Sequence, residues 1–184
     1  GEVSLPMSRP AECGFGNCRI PAENRLPNAS GLRAPLSCLS YARVGIAWGV
    51  IGAAIDCYET ALAYAKAREQ FGRPIGSFQL VQQKLVWMAQ EITKAQLLAL
   101  RLTRMMEAGT ARPAQTSLAK RNNVWMALQC ARKARDILGA AGITDQYPAI
   151  RPVMTLESVP TYEGPHDIHN LPCGRRTTAL ECLR

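Results

Sequence analysis

The sequence predicts a mainly α protein: an up-and-down four-helix bundle preceded by a short β and loop segment. Three observations carry this expectation. Apolar residues recur at spacings of three and four over long stretches, the breaks between those stretches are short and hold glycine or proline, and the composition changes abruptly near residue 36. With 184 residues, nearly half of them apolar, the chain can bury one core of ordinary size and does not have the makeup of a disordered segment. The expected organisation is a β and loop segment over 1–35 and a helical-bundle domain over 36–184.

Residues 1–35 are rich in Pro, Gly and Cys. Short runs such as "EVSL" and "CGFGNCRIP" predict one or two short strands, followed by the loop "PAENRLPNASGLRAP". A first helix is expected from about Ser37 to Phe71, with Val44, Ala47, Ile51, Ala54, Tyr58, Leu62 and Ala65 on its apolar face. Gly45, Gly49 and Gly52 lower its helix propensity and would let another backbone approach closely. The turn "FGRPIGS" ends it, because Pro74 cannot continue a helix. The second helix, about Phe78 to Ala108, has the cleanest stripe: Val81, Leu85, Met88, Ile92, Ala95, Ala99, Leu102 and Met106. "GTARP" breaks it. A third helix, about Pro113 to Leu138, buries Val124, Leu128, Ala131 and Leu138, with Lys120, Arg121, Arg132, Lys133 and Arg135 on a solvated face. "LGAAGITDQYP" is a glycine stop, a shorter helix spans Tyr147 to Leu156, and a last helix starts near His166 with Pro172 interrupting it.

The net charge of +8 comes mostly from arginine. The cations are spread along helical patterns and form no dense run, which disfavours a nucleic-acid surface. Seven cysteines, odd in number and without a CxxC pair, suggest reduced, mostly buried thiols. No uninterrupted apolar stretch of transmembrane length and no secretory leader are read from the sequence, so membrane insertion is not expected. The first residues look like strand material without an initiator Met, as in a piece of something longer.

Chemistry concentrates in "TYEGPHDIHN", Thr161 to Asn170, where Glu163 sits beside Gly164 and Pro165 ahead of both histidines of the chain. A carboxylate on a tight loop between helices can face a cleft and abstract a proton next to a carbonyl, or can simply be solvated. His166 and His169 lie three apart and, with Glu163 and Cys173, could compose a metal set; Asp167 at a helix start is equally a dipole-favoured residue, and no metal is assigned. "AREQFGRPIGSFQ" offers Arg68, Phe71 and Gln79, suited to a phosphate, a ring and a base edge, or else an ordinary helix end. "DILGAAGI" could present backbone N–H groups to an anion, or be a glycine cap.

Together, "ARVGIAWGVIGAA", "YAKAREQFGRPIGSFQLVQQKL", "ARDILGAAGI" and "TYEGPHDIH", in this order, resemble the C-terminal portion of flavin-dependent acyl-CoA dehydrogenases. "KRNN" at Lys120 to Asn123 and "HDIH" resemble the glutaryl-CoA branch most. The likeness runs from about residue 13 onward, and "CRIPAENRLP" is similar to the strand and loop leaving the family's middle β-domain, so 1–35 would be a remnant of that domain.

The resemblance implies FAD as cofactor, an acyl-CoA substrate, an electron-transfer flavoprotein as redox partner and a homotetramer built through the bundle. It implies Glu163 as the base that removes the α-proton, some relatives placing theirs at the position of Ala42. Leu36, Ser40, Arg43, Tyr162 and Gly164 would meet the acyl-CoA. Arg68, Phe71 and Gln79 would hold the FAD, and Asp136, Gly139 and Ala140 would reach a neighbouring subunit's FAD. In the glutaryl branch the product is crotonyl-CoA with carbon dioxide, a step of lysine and tryptophan degradation, in the mitochondrial matrix of a eukaryote or the cytoplasm of a bacterium. Three departures stand against full activity. Pro165 replaces a threonine that bonds the flavin, "LGAAG" replaces a more glycine-rich turn, and Pro172 falls inside the final helix. The other expectation is therefore a catalytically inactive bundle with an assembly role.

Overall fold

The computed structural model describes residues 3–8 and 11–181. Three long helices, α1 (Arg33–Ala67), α2 (Gln79–Glu107) and α3 (Pro113–Leu138), are followed by the short α4 (Ile150–Leu156) and by α5 (His166–Thr178). Helix α3 is the hub, packing on α1, α2, α4 and α5.

The stripes form the core as their spacing requires. Met88, Ala95 and Ala99 of α2 are fully buried, Leu85, Ile92 and Leu102 nearly so, and Val81 and Met106 close its two ends. From α1 come Ala47, Ile51, Ala54 and Ala65, and from α3 come Val124, Leu128, Ala131 and Leu138. Alanine is frequent at these positions, which lets the long helices approach closely. Asn123, fully buried, ties three helices together: its Nδ2 donates to the carbonyls of Ala47 (2.9 Å) and Ala95 (3.2 Å). Those carbonyls sit inside helices, so replacing Asn123 by leucine removes their second partner only. The expected loss is about 1–2 kcal/mol in urea-induced unfolding.

Several expectations are corrected. No strand forms in the described part of residues 1–35, where a single 3₁₀ turn, Ala22–Asn24, stands in a mostly exposed chain. A strand needs a neighbour to take its ladder hydrogen bonds, and these residues have none. Glu2 of the "EVSL" run lies outside the described residues, as does Cys182. Helix α1 stops at Ala67, not Phe71, because the chain turns into a small hairpin, β1 (Glu69–Gln70) and β2 (Arg73–Pro74). Its two-residue loop, Phe71 and Gly72, has φ of 55° and 75°, the positive pair that tight hairpins favour. Gly45, Gly49 and Gly52 meet no other backbone and face open space.

Helix α5 continues through Pro172 to Thr178 with one ladder bond fewer. Cys57 and Cys130 are buried, their thiols pushed up to about 12 mainly by desolvation, but Cys13, Cys18 and Cys38 are exposed and Cys173 is half-buried. The described thiols are free as expected, though not mostly buried. Helix α1 is also long and apolar enough to cross a membrane by length and composition, contrary to the reading of the sequence; its apolar face packs on α2 and α3.

Candidate active site

The segment between α4 and α5 is a chain of tight turns. The Thr161 hydroxyl and N–H donate to the Ser158 carbonyl at 2.6 and 3.0 Å, and the His166 N–H donates to the Pro160 carbonyl at 3.1 Å. Glu163 and Gly164 follow with φ of 54° and 96°. A left-handed glutamate is uncommon, and such strain persists where neighbours over-determine it.

Two cations supply that constraint. Arg43 of α1 donates from Nε to the Glu163 carbonyl at 2.7 Å. Lys120 of α3, with no exposed surface, donates from Nζ to the carbonyls of Val159 (2.8 Å), Tyr162 (2.8 Å) and Gly164 (3.0 Å). Glycine at 164 is a packing requirement as well as a conformational one. A Cβ there would lie 3.1 Å from both Arg43 Nη2 and His169 Nε2.

The Glu163 carboxylate keeps one oxygen, Oε2, buried without a hydrogen-bond partner. Around it, burial and like charge shape the titrations. Desolvation, with Arg43 adding repulsion and Glu163 opposing, brings Lys120 down to about 8. Desolvation, then Lys120 and Arg43, depress His169 to about 4, and desolvation with Lys120 lowers His166 too. Burial, followed by the Glu163 charge, raises the Tyr162 phenol. His169 is nearly fully buried, its Nδ1 3.0 Å from the Ser117 hydroxyl. Among the described residues, His166, His169, Glu163 and Cys173 do not gather into a metal-ligating group.

The fold therefore brings Arg43, Tyr162, Glu163 and Gly164 together. Leu36 and Ser40 precede Arg43 by seven and three positions, on one side of α1, with the Ser40 hydroxyl on the Leu36 carbonyl at 3.0 Å. The remaining candidates lie at the other end of α1, about 37 Å away by helical rise. There Arg68, Gly139 and Ala140 line an open cleft of about 990 Å³, while Phe71 and Gln79 line a second one, of about 700 Å³, that shares Gln70 and Ile75 with it. Asp136 lines neither; Lys84 holds its carboxylate, with Arg135 beside it, and lowers its pKa.

Gly142 is needed at this end, since a Cβ there would meet the Arg135 carbonyl at 2.3 Å. Gly142→Ala is expected to lower stability by about 2 kcal/mol in a denaturant titration.

Lys120 is the residue beside the Glu163 loop that the sequence reading placed on a solvated face. Its position four before Val124 puts it on the buried stripe of α3, and that spacing was the available signal. Arg121 and Arg132 are exposed as expected, and Lys133 lies over the Trp87 ring at 4.5 Å.

Comparison with known proteins decides the family. Residues 29–177 match the model of the acyl-CoA dehydrogenase C-terminal domain. The chain belongs to the acyl-CoA dehydrogenase family. The bovine (Bos taurus) mitochondrial short/branched chain specific acyl-CoA dehydrogenase is 30% identical over 168 residues, 91% of this chain and 39% of that protein. A glutaryl-CoA dehydrogenase structure from Mycobacterium smegmatis is 54% identical with a TM-score of 0.87, covering 90% of this chain and 43% of the other. A second, in complex with FADH2, is 47% identical with a TM-score of 0.89, covering 92% and 44%. The chain thus spans about two fifths of the length of these acyl-CoA dehydrogenases.

Proposed function

We propose that this chain is the C-terminal part of an FAD-dependent acyl-CoA dehydrogenase that desaturates an acyl-CoA thioester between Cα and Cβ. Glutaryl-CoA is the favoured substrate, yielding crotonyl-CoA and carbon dioxide. The observation that carries the proposal is the Glu163 carboxylate, one oxygen buried and unpartnered, on a loop fixed by Arg43 and Lys120. Likeness to the mycobacterial glutaryl-CoA dehydrogenases supports the choice of substrate and cofactor.

The residues present fit a dinucleotide at the far end of the bundle. Arg68 has no ion-pair partner among the described residues, and Gly139, with φ of 59°, has open space where a Cβ would stand. Arg68, Phe71 and Gln79, with the backbone at Gly139 and Ala140, would hold the phosphates and adenosine of FAD. When bound, FAD accepts the β-hydrogen as hydride.

Glu163 takes the α-proton, and Leu36, Ser40, Arg43, Tyr162 and Gly164 border the acyl-CoA. Loss of the distal carboxylate as carbon dioxide leaves a dienolate, to which protonated Glu163 returns a proton. The separation of about 37 Å between Arg43 and Arg68 exceeds the reach of one FAD, which supports an oligomer in which Arg68 serves a neighbouring subunit; a homotetramer is the form proposed. An electron-transfer flavoprotein then takes the electrons.

Pro165, which offers neither hydroxyl nor N–H to a flavin, favours the second reading, an inactive bundle with an assembly role. Visible absorbance separates the two. A yellow protein that bleaches anaerobically on adding glutaryl-CoA supports the enzyme; a colourless one after FAD reconstitution supports the bundle.

A further inference from the structure

We infer that Lys120 is a positioning residue for the reaction proposed above: with Arg43, it draws the loop carbonyls toward the bundle and so turns the Glu163 and Gly164 N–H groups toward the substrate. The inference rests on that proposed reaction and deepens it.

The geometry follows from the peptide plane. No cis peptide occurs among the described residues, and in a trans unit the carbonyl and the N–H point in opposite directions. The Tyr162 carbonyl points at Lys120, so the N–H of the same unit, that of Glu163, points away from the buried lysine. The Glu163 carbonyl points at Arg43, so the Gly164 N–H points away from that guanidinium. The third unit, with the Gly164 carbonyl on Lys120, ends in Pro165 and has no N–H. Two donors are left aimed outward, and neither has a partner among the described residues. Backbone N–H groups left free beside a carboxylate can stabilise the charge that develops on a thioester oxygen as the α-proton leaves.

The choice of lysine has a reason. Three carbonyls need three donors from one atom, and an ammonium supplies three where a neutral amine supplies two. A buried ammonium is costly, so its retention at a site without exposed surface points to the loop it holds. The charged and titratable groups facing it are Arg43 from α1, Tyr162 and Glu163 from the loop, and His166 and His169 from α5. Burial brings Lys120 down to about 8, near enough to neutrality for the third donor to be lost in mild alkali.

The test uses the FAD-loaded protein with glutaryl-CoA as the probe. Lys120→Ala should slow flavin bleaching at saturating substrate on the order of 30-fold while leaving half-saturation nearly unchanged, because the loss is one of orientation. Propylammonium added in excess should restore most of the rate, whereas tetramethylammonium, without N–H donors, should not. Deuterium exchange at the Thr161, Tyr162 and His166 amides should rise in the variant and fall again with propylammonium. A loss confined to half-saturation, absence of amine rescue, or unchanged exchange would each overturn the inference. Glu163→Gln separates the two levels. If it bleaches at the wild-type rate, the proposed reaction fails; if it is silent while Lys120→Ala is fully active, only the role of Lys120 fails. Should the alanine variant not fold, Lys120→Gln, which keeps a donor on the loop side, decides: bleaching slowed on the order of 10-fold with faster exchange in 157–166 supports the inference, and wild-type rate and exchange would overturn it.

Discussion

Replacing Glu163 by glutamine is expected to slow glutaryl-CoA-driven bleaching of bound flavin by about 10³- to 10⁴-fold, while the protein stays folded and yellow. The side chain keeps its shape and loses its charge and its basicity. Its buried oxygen has no hydrogen-bond partner, so no neighbouring donor loses its acceptor when the amide replaces it. The backbone carbonyl held by Arg43 is untouched, and the loop keeps its anchors. Flavin retention is expected because the groups that would hold the FAD phosphates and adenosine, Arg68 and the backbone at Gly139 and Ala140, are unchanged by the substitution. One secondary effect has a definite sign. The Glu163 charge raises the Lys120 pKa, so the amide lets Lys120 lose its proton at lower pH. Stopped-flow absorbance of the reconstituted variant checks the main effect, and undiminished bleaching would remove Glu163 from the role of base.

The stripe of α2 was legible because it depends on one physical rule, burial of a single face at helical spacing, and every residue in it is buried or half-buried. Lys120 shows where that rule was under-used. Its charge suggested water, but its spacing from Val124 put it in the core, and only the surrounding carbonyls make that burial tolerable. Those carbonyls come from a loop some forty residues later, which no local pattern connects to α3. Likewise, Arg43 and the Glu163 carbonyl are 120 positions apart and meet through packing. Resemblance to a family suggested them as neighbours; spacing could not. The strands expected before residue 35 fail for the converse reason. Their local signal was real, but a strand is completed by a partner. The turn at "FGRPIGS" was legible, but not the end of α1 at Ala67, because an aromatic residue with positive φ is rare and helical spacing up to Ala65 favoured extending the helix to Phe71.

His169 should make the fold acid-labile, by about 3 kcal/mol between pH 7 and pH 4. The side chain is 1% exposed, and its Nδ1 lies 3.0 Å from the Ser117 hydroxyl. Its Nε2 has no hydrogen-bond partner, close to where Lys120 and Arg43 bring two positive charges. Protonation would add a third charge to a desolvated cluster, which is why the folded pKa is held at about 4 against an ordinary 6.5. The unfolded chain therefore binds the proton first as pH falls. Stability from this group is fully present above about pH 6.5 and is lost as pH drops through 4. At 1.36 kcal/mol per pKa unit, the gap between 6.5 and about 4 is worth about 3.4 kcal/mol in full, of which about 3 is lost by pH 4. Carboxylates also titrate in this range, so the contribution is isolated by difference. Urea unfolding of the wild type and of His169→Gln at pH 7 and pH 4 should show the glutamine variant losing about 3 kcal/mol less. The glutamine can keep a hydrogen bond to Ser117 and has no proton to gain. Equal losses in the two proteins would mean that His169 takes up its proton as readily in the folded state as in the unfolded one, and the positive cluster behind the Glu163 loop would then have to be balanced by the carboxylate itself.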